Sequence, residues 1–231
     1  MHTSALKTAA SFFSTYMNYI QEGTVIEIGS QNVGNGSLRE VCPPKFKYVG
    51  VDFVAGNGVD VILEDAYKFP FEDGTADVMV CSSCFEHSEF FWLSFLEMLR
   101  VVKDDGLIYI NAPSNGLFHR FPTDCWRFYP DSGLALARWG ARNGYDPLLL
   151  ESFIARQDGE GMWNDFVAVF VKNRGHAGRH PARIIDTKAD FTNAHRDGRD
   201  DIINHLEFSE DHQKILVARR ILDNEIRLGV G

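Results

Sequence analysis

The chain has 231 residues, of which 45% are hydrophobic and 24% are charged, and its formal net charge is −9. This length and composition are typical of one α/β domain with an appendage, large enough to bury a full core. The acidic balance argues against nonspecific binding to nucleic acid or to an anionic membrane, because both need a positively charged surface. No apolar run approaches the roughly 20 residues that span a bilayer.

The amino-terminal segment has the periodicity of an amphipathic helix over about residues 4–21, and we predict that this helix covers a sheet. A further hypothesis is that Phe12 or Tyr16 helps to close a ligand pocket. The segment lacks the charged start and apolar middle of a secretory signal. The chain has four cysteines, which without such a signal favour a reducing compartment. We therefore expect a cytoplasmic protein.

Two short, β-branched runs are the most informative part of the sequence. Thr24-Val-Ile-Glu-Ile-Gly29 and Tyr48-Val-Gly-Val-Asp52 each have the composition of a buried parallel strand. The first runs into a loop rich in Gly, Ser and Asn over residues 30–37, where a ligand can approach backbone N–H groups. The second ends on an acid that can bind the two hydroxyls of a ribose. Together they predict a nucleoside-containing cofactor at a topological switch point.

Short strands then alternate with helices, which predicts a parallel sheet with helices on both faces. We predict strands over residues 59–63, 76–81 and 107–111, a helix over residues 88–102, and a turn at residues 103–106 that ends this helix. Beyond a helix over residues 131–143 the pattern changes. Two strand-like runs, residues 148–155 and 163–172, are joined by a short Gly-rich link, which predicts an antiparallel hairpin at the sheet's far edge.

The last part of the chain differs in composition, so we divide the chain into a domain over residues 1–173 and an appendage over residues 174–231. Residues 174–201 are polar, and we predict a linker or mobile surface segment there. Ser209 then begins a final helix. Its apolar face comprises Ile215, Ala218, Leu222 and Ile226. The sequence does not decide whether that face packs on the domain or on a second subunit, as in a homodimer.

Two cysteine and histidine patterns resemble metal or redox motifs. Cys81 and Cys84 form a C-x-x-C, but Cys81 ends an apolar run and no second pair completes a zinc site, so we expect buried thiols. His176 and His180 could bind a metal as an i, i+4 pair. Without a third ligand nearby, solvated histidines are the better interpretation.

Taken in order, the motifs resemble the class I S-adenosylmethionine-dependent methyltransferases, specifically the methyltransferase type 11 group, over residues 23–172. Val25-Ile-Glu-Ile-Gly29 is similar to the family's first motif, and Tyr48-Val-Gly-Val-Asp52 to its second. Three later blocks are similar as well: Glu64-Asp65-Ala66 with Phe69-Pro-Phe71, Val80-Cys-Ser-Ser-Cys-Phe-Glu-His87, and Leu99-Arg-Val-Val-Lys-Asp-Asp-Gly-Leu107. The resemblance implies a Rossmann-like, seven-stranded, mostly parallel sheet with helices on both faces and an antiparallel C-terminal hairpin.

The first motif departs from the family pattern. The usual Gly-x-Gly-x-Gly is replaced by Gly29-Ser30-Gln31 and an Asn-Val-Gly-Asn-Gly insertion, so the contacts of residues 30–36 should differ. The Gly-x-Gly-x-x-Gly spacing that brings a helix terminus onto a pyrophosphate is also absent, which counts against a nicotinamide enzyme. S-adenosylmethionine has no phosphate and needs no such loop.

The resemblance implies S-adenosylmethionine as the cofactor and assigns roles to seven residues. Gly29, with Ser30 beside it, should give close backbone approach to the methionine part, and Asp52 should bind the ribose hydroxyls. Glu27 should hold the loop or the methionine ammonium. Asp65 and Ala66 should face the adenine. Ser82, together with Ser83, should lie where strand four opens onto the cofactor.

Two regions could contact the methyl acceptor. Glu86-His87 follows strand four, and a block from His119 to Pro130 follows strand five and resembles the group's His-x-x-Pro-x-Asp-x-Trp-Arg. We predict His119 or His87 as a general base, needed only for a weakly acidic acceptor such as an alcohol. The predicted acceptor-binding residues are Asp124, Trp126 and Arg127. The alternative is structural: Trp126 and Phe128 pack inward while Asp124 pairs with Arg127. We assign no metal, since His119 and Asp124 alone do not make a site.

The predicted function is S-adenosylmethionine-dependent methyl transfer to a small-molecule or glycan-type acceptor, with no nucleic acid or membrane as partner. One alternative is a non-catalytic S-adenosylmethionine-binding module that serves assembly or regulation. A second is a nicotinamide-dependent oxidoreductase.

Overall fold

The structure, a computed structural model, describes residues 2–34, 36–157, 159, 161–223 and 225. Within these residues one mixed sheet of eight strands forms the centre of the molecule, in the order β3-β2-β1-β4-β5-β7-β6-β8. The strands are β1 (Gly23–Ile28), β2 (Phe46–Asp52), β3 (Val61–Ile62), β4 (Ala76–Ser82), β5 (Val102–Pro113), β6 (Leu148–Ala155), β7 (Asp165–Val171) and β8 (Phe191–Arg196).

The strand order reverses beside β1. The chain runs outward from β1 to β2 and β3, then returns to place β4 and β5 on the other side of β1, with all these neighbours parallel. The far half is antiparallel, because β7 pairs with β5, β6 with β7, and β8 with β6. In such sheets ligands bind outside the carboxyl ends of the strands at the reversal. The fold therefore places a candidate site next to the ends of β1 and β4.

Helices cover both faces of the sheet. They are α1 (Thr3–Tyr16), α2 (Leu38–Val41), α3 (Phe91–Val101), α4 (Asp131–Arg142) and α5 (Glu210–Leu222). Successive strand residues point to opposite faces, so Met79 packs in one core cluster with α3 and α4, whereas Val78 and Val80 pack in a second cluster with α1. The predicted α/β architecture with helices on both faces is confirmed.

The junction of α3 and β5 differs from the prediction. The sequence predicts that residues 103–106 form a turn, but β5 begins at Val102, directly after α3, and shifts register against β4 between Ala76 and Val78. Gly106 lets the two strands approach closely, since a Cβ there would lie 2.7 Å from the carbonyl oxygen of Asp77. The polar residues of the segment stay exposed at the start of the strand.

Residues 174–201, predicted as a linker or mobile segment, are an integral part of the fold. They form two short 3₁₀ helices, Arg174–Arg179 and Ile184–Asp186, and the strand β8, which raises the strand number from the predicted seven to eight within the described residues. The few apolar residues of the segment are concentrated on its inner side: Ile184, Ile185, Phe191 and Ala194 are buried. The predicted boundary at residue 173 is therefore crossed by the pairing of β6 with β8.

The final helix begins as predicted, with the Ser209 hydroxyl accepting a hydrogen bond from the His212 N–H at 3.2 Å. None of the described residues of α5 is buried, so its apolar face does not pack on the domain, and Ile226 lies outside the described residues. In the described part of the chain, no helix combines the length and apolarity needed to cross a membrane.

Candidate active site

A cavity of about 950 Å³ opens at the carboxyl ends of β1, β2 and β4, where the strand order reverses. Its volume lies at the upper end of the usual range for small-molecule sites, about 300–1,000 Å³. Most of the predicted site residues line it: Glu27, Gly29, Ser30, Asp52, Ala66, Ser82, His87 and His119. The topology therefore brings the cofactor-side and acceptor-side candidates to one cavity.

Gly29 ends β1 in a conformation and a space that admit no side chain. Its φ is +78°, in the left-handed region that favours glycine, and a Cβ would lie 2.5 Å from the Cβ of Cys84. Its N–H donates to the Val51 carbonyl at 2.9 Å. Cys81 is buried, Cys84 is half-buried, and both thiols are free. The C-x-x-C pair thus packs beneath the glycine turn.

Asp52 ends β2 at the cavity wall, nearly buried. Oδ2 accepts the N–H of Gln31 at 3.0 Å, and Oδ1 accepts the N–H groups of Phe53 at 2.8 Å and Val54 at 3.3 Å. Each carboxylate oxygen can accept two hydrogen bonds. Asp52 therefore fixes the loop after β1, and its Oδ2 atom retains one acceptor site for a ligand.

Glu27 lies in β1, two residues before Gly29, and its side chain is buried beneath the same loop. Its carboxylate accepts a hydrogen bond from the Tyr48 hydroxyl at 2.9 Å. Burial raises the pKa of Glu27 to about 7, and the nearby charge of Asp52 acts in the same direction. Proton release from Glu27 thus falls near neutral pH.

The charges around the cavity favour a cation. Four carboxyl side chains line it and Arg120 is the permanent cation among the described lining residues. The carboxyl groups are those of Glu27, Asp52, Glu86 and Glu89. A ligand with a positive charge would reduce the repulsion among them.

Serine hydroxyls at the ends of β1 and β4 are left for a ligand. The Oγ atoms of Ser30 and Ser83 are buried without a hydrogen-bond partner among the described residues, and both residues line the cavity. Ser83 adopts a φ of +52° just after β4. Ser82 lies 3.4 Å from the side-chain oxygen of Asn111. Buried hydroxyls normally have partners, so such groups beside a cavity indicate where a ligand would bind.

At the predicted adenine side, Leu63, Ala66 and Tyr67 line the cavity. Asp65 does not belong to the described lining. It is exposed, and its carboxylate accepts the N–H of Tyr67 at 2.8 Å, which stabilises the local turn.

On the acceptor side, His87 and His119 face each other edge-on with ring centroids 4.9 Å apart. The Nδ1–H of His87 donates to the Thr123 carbonyl at 2.5 Å, and burial lowers the pKa of His87. His119 also contacts Trp163, with ring centroids 4.9 Å apart. Two imidazoles from separate segments therefore meet at one wall.

Asp124, Trp126 and Arg127, predicted to bind the acceptor, are outside the described lining of the cavity. Asp124 pairs with Arg127 at 2.6 Å and accepts the backbone N–H of His119 at 2.7 Å. The bonds to Arg127 lower the pKa of Asp124 to about 2. The Trp126 indole donates to the Ser88 carbonyl at 2.9 Å. These side chains hold the His119 loop in place. The pairing of Asp124 with Arg127 is the one expected if these residues have a structural role.

The structure adds residues at the cavity that the sequence analysis does not identify. His2 and Trp163 line the wall near His119, with their rings stacked 5.8 Å apart, and His2 lies 2.8 Å from the buried carboxylate of Asp165. No motif marks either residue. In contrast, Phe12 and Tyr16, considered for closing the pocket, are buried in the core behind the sheet and are outside the described lining.

The pair His176 and His180 splits between two environments. His176 contacts Asp104 at 3.1 Å near the surface. His180, expected to be solvated, is buried against Tyr16, and burial lowers its pKa to about 4. His180 directly follows the 3₁₀ helix Arg174–Arg179 that contains His176, and only the ring of His180 is turned inward.

Comparisons with known proteins agree with this architecture. Residues 32–110 match the methyltransferase domain family of type 11. No curated protein matches the chain.

Solved structures share the fold at low sequence identity. The YcgJ protein from Bacillus subtilis superposes with a TM-score of 0.54 at 13% identity, over 75% of this chain and 100% of its own. The 1,6-didemethyltoxoflavin-N1-methyltransferase from Burkholderia thailandensis has a TM-score of 0.54 at 13% identity, over 73% of this chain and 78% of its own. A methyltransferase from Methanosarcina mazei, described as S-adenosylmethionine-dependent, has a TM-score of 0.51 at 13% identity, over 68% and 96%.

The parallel half of the sheet, β1 to β5, contains both the glycine turn after β1 and the acid that ends β2. The family match over residues 32–110 also falls in this half. The recognition made from the motifs is confirmed, and with it the prediction of the methyl donor as cofactor. Residues 32–110 are thus similar to the methyltransferase domain family of type 11, and the chain shares the fold of these solved methyltransferases.

Proposed function

We propose that the protein binds S-adenosylmethionine in the cavity at the switch point and transfers its methyl group to a small-molecule or glycan-type acceptor. The observation that carries the proposal is the joint position of Gly29, Asp52 and Glu27 on one wall of an acidic cavity. Such a wall suits a ligand with a ribose, an ammonium group and a sulfonium, because two of these groups are cationic and the third donates hydrogen bonds.

In this proposal Gly29 admits the methionine part at van der Waals distance, and Asp52 accepts a hydrogen bond from the ribose through the remaining acceptor site of its Oδ2 atom. Ionised Glu27 faces the ammonium. The unpartnered hydroxyl of Ser30 and the side chain of Ser82 complete the cofactor contacts, and Ala66 packs against the adenine. Asp65 would reach the adenine amino group only if its turn opened, since its carboxylate bonds the Tyr67 N–H.

The remaining part of the cavity, around His87 and His119, would hold the acceptor. Methyl transfer from a sulfonium needs the acceptor atom in line with the methyl group, and proximity alone can supply about 7–11 kcal/mol. A neutral His119 or His87 would take the proton from a hydroxyl acceptor. Asp124 and Arg127 would act as positioning residues through the His119 loop, with Trp126 securing its far end.

The first experiment measures cofactor binding by calorimetry, with S-adenosylmethionine and S-adenosylhomocysteine as ligands. We expect Asp52→Asn to weaken binding by at least about tenfold, because hydrogen bonds to a charged group contribute about 1.5–3 kcal/mol. Asp200→Asn, an exposed aspartate outside the cavity lining, is the matched control and should bind as the unaltered protein does. Unchanged affinity in Asp52→Asn would remove the ribose assignment.

The second experiment separates the alternative functions. Formation of S-adenosylhomocysteine is measured across a library of hydroxylated, amino and glycan acceptors, and turnover with one class supports the enzyme. Tight cofactor binding with no turnover on any acceptor would favour the non-catalytic module. Thermal stabilisation by NAD with none by S-adenosylmethionine would instead favour the oxidoreductase.

A further inference from the structure

The acceptor end of the cavity contains three side chains that suit a metal ion. Glu86, His87 and His119 each offer one ligand atom, and these atoms lie within 4.8 Å of one another. All three line the cavity. Two imidazoles and one carboxylate form a donor set that binds zinc and ferrous iron while leaving coordination positions open.

The Glu86 carboxyl is the strongest sign that this cluster binds a cation. Its residue is 1% exposed, and its Oε2 atom has no hydrogen-bond partner among the described residues. The other oxygen lies 3.7 Å from the Nε2 of His87. A buried carboxyl without a partner is rare and costly, and a bound cation would remove the cost.

Both imidazoles are oriented as metal ligands usually are. The His87 Nδ1–H donates to the Thr123 carbonyl, which leaves the lone pair of Nε2 facing Glu86. The Nδ1 of His119 lies 3.1 Å from the Leu117 carbonyl and 3.5 Å from the carboxylate of Asp124. Hydrogen bonding of one ring nitrogen to a carbonyl or carboxylate fixes the tautomer that exposes the other nitrogen.

The three residues meet because two segments are tied together. The carbonyl of Glu86 accepts the N–H of Cys125 at 2.7 Å, and the Thr123 hydroxyl donates to the carbonyl of His87 at 2.7 Å. These bonds hold the loop after β5 on the 3₁₀ helix Phe85–His87 and so carry His119 to the cluster. The arrangement is built by backbone contacts and does not depend on flexible surface side chains.

We propose that Glu86, His87 and His119 bind a divalent transition-metal ion at the acceptor end of the cavity. The open positions of this ion would face the space left for the acceptor and hold an oxygen-bearing acceptor group. A bound divalent cation favours the ionised form of such a group, and this effect would replace the general-base role of His87 and His119, because a metal-bound imidazole has no free lone pair to accept a proton. This role of the metal rests on the proposed methyl transfer, whereas the metal site itself does not.

The test uses Zn²⁺ as the probe on the full chain freed of metal with a chelator. We expect about one equivalent of Zn²⁺ to bind by calorimetry, and Co²⁺ at the same site to give visible absorption bands that Zn²⁺ abolishes. Glu86→Gln and His119→Ala should each weaken Zn²⁺ binding more than about 100-fold, beyond the 10–100-fold typical of changes outside the ligand set. His205→Ala, an exposed histidine outside the cavity lining, should bind as the unaltered protein does.

Binding of S-adenosylhomocysteine and thermal unfolding are measured on the same variants. Retained S-adenosylhomocysteine affinity and an unchanged melting temperature show that the lost metal binding is local to the cluster. Failure of the unaltered protein to bind Zn²⁺ overturns the metal site, and so does a Zn²⁺ affinity in Glu86→Gln and His119→Ala equal to that of the unaltered protein. Neither result touches the cofactor assignment, which fails only if S-adenosylhomocysteine does not bind.

Discussion

At the scale of single residues, Glu27 is a buried acid whose protonation changes near neutral pH. Its folded-state pKa is about 7 because of burial, whereas an unfolded chain releases this proton near about pH 4.3. Below that pH both states hold the proton and stability is unaffected. As pH rises from about 4.3 to 7, the unfolded state loses its proton first, so the free energy of unfolding falls. Above 7 the loss is complete, on the order of 3 kcal/mol.

We predict that Glu27→Gln removes this dependence. Between pH 5 and pH 8 the variant should gain stability relative to the unaltered protein by on the order of 2–3 kcal/mol, measured by urea unfolding. Glu64→Gln, at an exposed glutamate outside the cavity lining, is the control and should show no such change. Parallel stability curves for Glu27→Gln and the unaltered protein would mean that Glu27 stays ionised in the fold.

At the scale of elements, one buried carboxylate joins three separate parts of the chain. Glu151 in β6 accepts the Tyr16 hydroxyl of α1 at 2.6 Å and the N–H groups of Ile184 and Ile185 at 2.7 and 3.2 Å. Burial raises its pKa, and these donors act in the opposite direction. The contacts explain how a polar segment after β7 is held on the sheet without a large apolar surface.

Removal of this carboxylate should loosen α1 and the Ile184–Asp186 turn together. We predict that Glu151→Ala lowers the free energy of unfolding by about 3–5 kcal/mol, because three buried donors lose their acceptor. Tyr16→Phe removes one donor and should have a smaller effect, about 1 kcal/mol. Glu207→Ala, at an exposed position, is the control. Equal effects of Glu151→Ala and Glu207→Ala would contradict the role of the network.

At the scale of the whole molecule, α5 leaves an apolar surface uncovered. Its first-turn carboxylates bond the end of the β6–β7 hairpin, for example Glu210 to the side chain of Asn164 at 2.8 Å. Further along, Ile215 is 50% exposed and Leu222 is 79% exposed. Helix stability in proteins comes mainly from packing of an apolar face. The sequence-based prediction of a homodimer through this helix therefore remains a prediction worth testing.

We expect the unaltered protein to run as a dimer by size-exclusion chromatography with light scattering, and Ile215→Asp to halve that mass. Ile202→Asp, at an exposed isoleucine outside α5, serves as control and should leave the mass unchanged. A monomer at every concentration tested would contradict assembly through α5.

The motifs fix the parallel half of the fold and the cofactor side of the cavity because they are local. A β-branched run predicts a strand, and the Gly29 or Asp52 that follows such a run marks the carboxyl end of that strand. The order of such runs along the chain then determines the reversal beside β1, since parallel strands need crossovers and the connections have one hand. For this reason the sequence could predict that Glu27, Gly29 and Asp52 lie together at the cavity, whereas their roles toward the cofactor remain predictions.

The acceptor side depended on the tertiary structure, because its groups come from distant segments with ordinary composition. His2 reaches the wall only because α1 packs behind the sheet, and Asp124 turns from a predicted ligand contact into an anchor of the His119 loop. In the same way, a polar stretch became β8 because it pairs with β6, and Glu151 of β6 holds the preceding 3₁₀ helix through the N–H of Ile184. Sequence alone determined which residues end the central strands. Which side chains meet across the cavity was decided by long-range packing, which no local pattern encodes.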